Sequence, residues 1–394
     1  MTADRPLLPD PKPGIWRRIL RIAIFVAALY VFLLSIQLLS GSLKLLGKPF
    51  AETLIQFTDN PIIGLFIGIL ATALIQSSSA TTSIVVSFVA ATIILPSGEV
   101  QPVLTVTNAI PIIMGANIGT TITNTLVSLY HISRKEEFTR AFPSAMVHDI
   151  FNLLSVAVLL PIEIFFHPIQ RVSGFLSGAQ ALQGVGFKMW SPLKAVVKPV
   201  ANGVIDLVRW ITGTEGFWDK GFAVITIPLA LVLLFFGLQF MVKNMRKLAG
   251  SKTEVVIDKY LFGGPVRAFL LGVVITAVIQ SSSVTTSFVV PLVGAGLIAL
   301  EQIFPYTLGA NIGTTVTAIL AALATGTPEG IQVAFAHLIF NIFGIAVWYP
   351  LKIVPLTLAR LVGKSVTKHR WLAFVYIVVI FIIIPVGLIL LLRR

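Results

Sequence analysis

Long apolar runs separated by short polar segments make up most of the chain. Runs near 19–40, 101–130, 143–163, 221–242, 301–322, 331–350 and 371–391 each approach the ~20 residues a helix needs to cross a bilayer. Two further apolar stretches, 61–95 and 265–298, are broken near the middle by Gln76-Ser77-Ser78-Ser79 and Gln280-Ser281-Ser282-Ser283. Backbone can leave the helix at membrane depth only where protein or a water-filled cavity covers it. The pattern therefore predicts seven full spans and two re-entrant helical hairpins with the serine runs at their tips.

The two interrupted stretches are copies. Gly68–Val86 and Gly272–Val290 align without gaps and agree at 13 of 19 positions. Gly115-Ala116-Asn117-Ile118-Gly119-Thr120-Thr121 returns unchanged as Gly309 to Thr315. His148-Asp149-Ile150-Phe151-Asn152 is echoed by His337-Leu338-Ile339-Phe340-Asn341, Pro161 by Pro350, and Arg171 by Arg360. The expected fold is an all-α polytopic membrane protein built from two structural repeats. Each repeat holds a re-entrant hairpin and a spanning helix broken at its GANIGTT stretch, where glycine permits non-helical backbone. The expected divisions are a disordered tail over 1–14, a first half over 15–171, an outer linker over 172–220, a second half over 221–360, and a final span over 361–394.

Composition agrees with burial in lipid. The chain is 56% hydrophobic and 11% charged, against about 25% charged residues in a soluble domain. Mean hydropathy is +0.94. Cysteine is absent, which excludes disulfides, thiol catalysis and thiolate metal sites. The net charge of +13 does not indicate a nucleic-acid partner, because Lys and Arg fall in loops, where membrane topology puts them. Arg17, Arg18 and Arg21 place the N-terminus in the cytoplasm, followed by a retained first span rather than a cleaved signal. Arg134, Lys135 and Arg140 then fall inside, as do Lys243, Arg246, Lys247, Lys252, Lys259 and Arg267, while 323–330 falls outside without a basic residue. By this count the two hairpins enter from opposite sides, so the repeats are inverted. The Arg393–Arg394 pair is left outside, against the rule. The segment around 192–212 reads as amphipathic.

A hairpin tip can bind ions of both signs. The second arm begins with unpaired N–H groups and the positive end of a helix dipole, an anion site. Ser77, Ser78, Ser79 and Thr81, with Ser281, Ser282, Ser283 and Thr285, add hydroxyl donors there. Carbonyls end the first arm. With Gln76, Thr82, Gln280 and Thr286, and with Asn117, Thr120, Thr121, Asn311, Thr314 and Thr315 facing them, they are hard oxygen ligands suited to Na+. No Lys or Arg lies in any of these blocks. An anion carried to mid-membrane is costly without compensating charge, so cations bound alongside would supply it. Protons could replace Na+ in that role. Asp149 is an acid inside a span whose repeat partner is Leu338, and with Asn152 and Asn341 it is a candidate accessory. No G-x-S-x-G elbow accompanies the serines, and one nucleophile would not be duplicated, so an enzyme is not expected.

The paired motifs QSSSATTS and QSSSVTTS, each followed by GANIGTT and then by HDIFN or HLIFN, resemble the sodium-dependent phosphate cotransporter family, the type II group. The likeness covers nearly the whole chain, up to about Arg360. It implies inorganic phosphate as substrate, Na+ as coupling ion, no cofactor, and an inverted-repeat fold in which Gln76–Ser79 and Gln280–Ser283 line the sites. Another oxyanion, a carboxylate, or an anion channel remain the alternatives that the hydroxyls alone leave open. Animal members carry a disulfide-bonded outer loop, which this chain cannot form. Some bacterial relatives carry a soluble C-terminal domain, whereas this chain ends after its last span. Size and lack of cysteine imply a bacterial inner-membrane protein, and the reading admits a homodimer.

Overall fold

A computed structural model describes residues 15–56, 60–94, 100–178, 193–212, 221–248, 262–325 and 327–392. The tail over 1–14, much of the linker, most of the basic loop after 248, and Arg393–Arg394 lie outside the described residues. The elements are α1 (Ile15–Gln56), α2 (Pro61–Ile75), α3 (Ser78–Ala90), β1 (Thr92–Ile94), β2 (Val100–Pro102), α4 (Val106–Thr120), α5 (Ile122–Ser128), α6 (Lys135–Phe166) and α7 (Pro168–Ser177). There follow α8 (Lys198–Thr212), α9 (Gly221–Leu248), α10 (Pro265–Ile279), α11 (Ser282–Gly294), α12 (Leu300–Thr325), α13 (Pro328–Trp348), α14 (Ile353–Lys368), α15 (Leu372–Val378) and α16 (Ile384–Leu392).

Among the described residues, six helical stretches are long and apolar enough to cross a membrane: Ile19–Leu39, Val106–His131, Lys135–Phe166, Leu300–Leu323, Pro328–Trp348 and Leu372–Leu392. The chain is thus a multi-pass integral membrane protein. The exception to its helical character is β1–β2, an antiparallel pair with Ile93 opposite Gln101. It sits where the predicted hairpin 61–95 was expected to remain helical. The amphipathic segment forms α8, which buries Ala201, Ile205 and Val208 against α1 and α9.

Both Q-S-S-S stretches interrupt a helix as expected. Asn60 starts α2 by accepting from the amides of Ile62 and Ile63, and Pro61 and Pro265 occupy first-turn positions where a missing N–H costs nothing. The arms end at Gln76 and Gln280, left-handed with φ of 56° and 58°. Ser77 and Ser281 are extended, and each caps the next helix by accepting from the amide three residues on, Ala80 or Val284.

The expected breaks at GANIGTT require correction. Helix α12 runs without interruption through Gly309–Thr315. In the first copy the helix is disturbed only at Thr121, whose amide bonds to Ile118 in a tighter turn before α5 begins. The glycines serve contact instead. A Cβ on Gly115 would lie 2.0 Å from the Leu65 carbonyl oxygen, and on Gly309 2.0 Å from that of Phe269. Gly119 and Gly313 would meet the Ile69 and Val273 oxygens at 2.6 Å. Facing glycines answer from the first arms, where a Cβ on Gly68 would lie 2.0 Å from the Ile112 oxygen and one on Gly272 2.1 Å from that of Tyr306. Small residues thus let α2 lie backbone to backbone on α4, and α10 on α12, which is how helices associate closely in a membrane.

The second arms cross over. Helix α3 of the first half packs on α12 and α13 of the second, while α11 packs on α5 and α6 of the first. The serine-rich helix starts are therefore enclosed by the opposite half.

Candidate functional site

Each break opens on a glutamine, and in the first copy its contacts hold the turn. The Gln76 amide donates to the Ala73 carbonyl at 2.6 Å, and its Oε1 accepts from Thr123 at 2.9 Å. A non-glycine residue with positive φ costs on the order of 1–3 kcal/mol and persists only where its surroundings dictate it, commonly at functional sites. Beyond the break, the first amides of α3 and α11 have no intrahelical acceptor. Ser78, Ser282 and Ser283 are buried there, beside the half-buried caps Ser77 and Ser281. Thr81 donates to Ser77 O at 3.2 Å and accepts from Thr72 at 3.0 Å. Thr285 donates to Ser281 O at 2.8 Å.

Between the breaks lies a buried, directional chain of hydrogen bonds. Thr286 donates to Asn124 Oδ1 at 2.8 Å. Asn124 Nδ2 meets His148 Nδ1 at 3.1 Å, and His148 Nε2 meets Asn311 Oδ1 at 2.7 Å. An amide donor at Nδ1 fixes the neutral tautomer with its proton on Nε2. Asn311 then donates to Asn152 Oδ1 at 2.9 Å, and Asn152 to the Asn117 carbonyl at 3.0 Å. On the mirror side His337 Nε2 meets Asn117 Oδ1 at 3.2 Å. Each half's histidine thus pairs with the other half's GANIGTT asparagine.

The two clusters are not equally complete. The repeat partner of Asn124 is Ala318, so the second cluster lacks the central amide. Among the described residues, the buried Thr82 Oγ1, Asn117 Nδ2, His337 Nδ1 and Asn341 Oδ1 have no hydrogen-bond partner. Asn117 Nδ2 and Asn341 Oδ1 are the counterparts of the bonded pair Asn311 Nδ2 and Asn152 Oδ1. Asn341 Nδ2 turns instead to the His337 carbonyl at 3.0 Å. Buried polar atoms left open in this way cost about 1–3 kcal/mol each unless a ligand or water meets them.

The motif threonines have a different role from the glutamines and serines. Thr120, Thr314 and Thr315 donate to carbonyls of their own helices, those of Ala116, Ala310 and Ile312. Thr121 donates at 2.8 Å to Ile118 O and at 2.7 Å to Asp149 Oδ1. Asp149 is buried and also accepts from the Tyr376 hydroxyl, which ties the C-terminal span to the disturbed turn. Sequence reasoning does not single out Asn124, Thr123 or Tyr376. The only signal for Asn124 is its mismatch with Ala318, which carries no meaning until the histidines are paired.

A multi-pass helical protein with duplicated half-helix starts, enclosed by a polar core with no buried Lys or Arg among the described residues, belongs to the class of membrane transporters. The family model described as Na+/Pi-cotransporter matches residues 31–187 and 233–392. The chain belongs to the Na+/Pi-cotransporter family. It is 34% identical over 449 aligned residues to sodium-dependent phosphate transport protein 2A of Rattus norvegicus, covering 96% of this chain and 69% of that protein. To sodium-dependent phosphate transport protein 2B of Homo sapiens it is 33% identical over 452 residues, covering 93% and 64%. No solved structure matches the chain.

Proposed function

We propose that the chain is a secondary transporter that carries inorganic phosphate across the membrane together with Na+ by alternating access. It is not an enzyme and uses no cofactor; Na+ is its coupling ion. Family membership supports the substrate and the ion. The observation that carries the location is the incomplete cluster at Thr82, Asn117, His337 and Asn341, set beside two capped helix starts. Phosphate is read as held by the open amides and hydroxyls of Ser77–Ser79, Thr81, Ser281–Ser283 and Thr285. Na+ is read as held by oxygens of Gln76, Thr82, Gln280, Thr286 and the asparagine–threonine groups 117/120/121 and 311/314/315. Asp149, whose repeat partner is Leu338, would contribute negative charge from one half alone, with Asn152 and Asn341 as accessories.

Arms of 15 and 13 residues reach only about 20 Å at 1.5 Å per residue, short of a ~30 Å hydrocarbon core. That supports a re-entrant course, while the division into two inverted halves joined by an outer linker rests on the placement of the basic residues. The reading places the N-terminus in the cytoplasm of a bacterial inner membrane.

Radiolabelled phosphate uptake into proteoliposomes, with and without an inward Na+ gradient, tests the proposal. Uptake indifferent to Na+ removes the coupling, and equal competition by sulfate removes phosphate as the specific substrate.

A further inference from the structure

At the end of the molecule where α6, α7, α4 and α13 meet, a cavity of about 450 Å³ is lined by Thr107, His167, Gln170, Arg171, Gly174 and Gln332. It lies away from the serine breaks. Thr107 and Asn117 share α4, and ten residues of helix separate them by about 15 Å. The walls come from both halves. Gln332 donates to the Gln170 carbonyl at 2.9 Å, and Thr107 to Gln170 Oε1 at 3.2 Å. Gly174 keeps the wall open, since a Cβ there would lie 3.0 Å from Gln332 Nε2.

The arginine in this cavity lacks the direct ion pair that its repeat partner makes. Arg360, the partner of Arg171, is paired with Glu301 at the equivalent place in the second half. The first-half counterpart of Glu301 is Thr107. Glu163, the acid at this end, is buried and commits both oxygens to the amides of Ile169 and Gln170, at 2.7 and 3.0 Å. Among the described residues Arg171 makes no direct ion pair; Glu163 lies within reach of its charge but has both oxygens engaged, and the cavity wall carries no acidic side chain. The Gln170 amide nitrogen and the imidazole of His167 add hydrogen-bonding groups beside the guanidinium. A planar guanidinium matches two oxygens of a tetrahedral oxyanion.

We propose that this cavity is an accessory binding site for a phosphate group, distinct from the serine-lined site. The group has two sources: free inorganic phosphate, or the headgroup of a lipid. Phe165, Phe166 and Phe175 are exposed at the same end, which brings an acyl-chain boundary close.

The test uses full-length protein carrying Ser78→Ala and Ser282→Ala, so that the serine-lined site is weakened. Radiolabelled inorganic phosphate is titrated in lipid-stripped detergent, and labelled phosphatidylglycerol is exchanged in a parallel sample. Arg171→Gln is expected to weaken one of the two at least tenfold, Arg171→Lys to restore part of it, and Arg360→Gln to leave it unchanged. Loss in the first arm identifies free phosphate, and loss in the second a headgroup. Arg171→Gln without effect in either arm overturns the proposal. Arg171 is exposed, so folding is not at risk, and thermal unfolding of each variant checks that. The deeper transport reading rests on uptake, not on this binding, so the two fail separately.

Discussion

Asn124 and Ala318 occupy equivalent places in the two halves, and an amide against a methyl group decides which polar cluster is closed. Asn124 satisfies both Thr286 and His148. Asn124→Ala should open the closed cluster and destabilise the protein by about 1–3 kcal/mol, because His148 Nδ1 loses its buried partner while Thr286 keeps its bond to the Ser282 carbonyl. The reverse change is more informative. Ala318→Asn supplies the missing amide to Thr82 and His337, so it should raise the unfolding temperature while cutting Na+-driven uptake at least tenfold. A stabilised variant with normal uptake would show that the open atoms are not used by the cargo. Ser78→Ala and Ser282→Ala should each reduce uptake sharply while protein still reaches the membrane; near-normal transport by both would move the site elsewhere.

Among the elements, the tightest constraint is the glycine seam between each first arm and its following helix. A methyl group at Gly68 or Gly309 would meet a backbone carbonyl at 2.0 Å, and backbone cannot yield as a flexible side chain does. Gly68→Ala should therefore cost more than the 1–3 kcal/mol usual for overpacking, and folded protein should be lost in size-exclusion chromatography. Gly203→Ala on α8, with nothing within 4 Å, is the matched control and should stabilise by roughly 0.5–1 kcal/mol. These seams also show where sequence reading stops. The Q-S-S-S interruptions are legible because a dense hydroxyl run inside an apolar stretch is costly in lipid unless the helix breaks there and protein covers it. GANIGTT misleads because glycine marks flexible backbone and close approach with the same letter, and only the partner helix separates them. The β1–β2 pair escapes notice because three-residue strands leave too short a pattern. The pairing of His148 with Asn311 is illegible for a different reason. Spacing shows that His148 and Asn152 share a helix face, but not which half that face meets.

At the scale of the whole molecule, the inverted reading makes a prediction about sides. Lys135 and Glu329 are both exposed and sit at the starts of α6 and α13. The native chain has no cysteine, so single cysteines can be placed without background. Lys135→Cys should react with a membrane-impermeant maleimide only after the cytoplasmic side is opened, and Glu329→Cys from outside in intact cells. Labelling of both from one side would refute the opposed entry of the two breaks.

The exchange of partners between halves also bears on how the protein is made. His148 waits for Asn311, 163 residues later, which at 5–20 residues per second of synthesis is on the order of 10 s. Throughout that interval the nascent first half holds His148, Asn117 and Asn152 in the bilayer without their second-half partners, with only the bonds made inside the half. The ribosome therefore delivers an intermediate that must be shielded by the insertion machinery until its second half arrives. By the same logic, a gene cut within the linker should still yield working protein when both pieces are translated together, and neither piece should accumulate when translated alone.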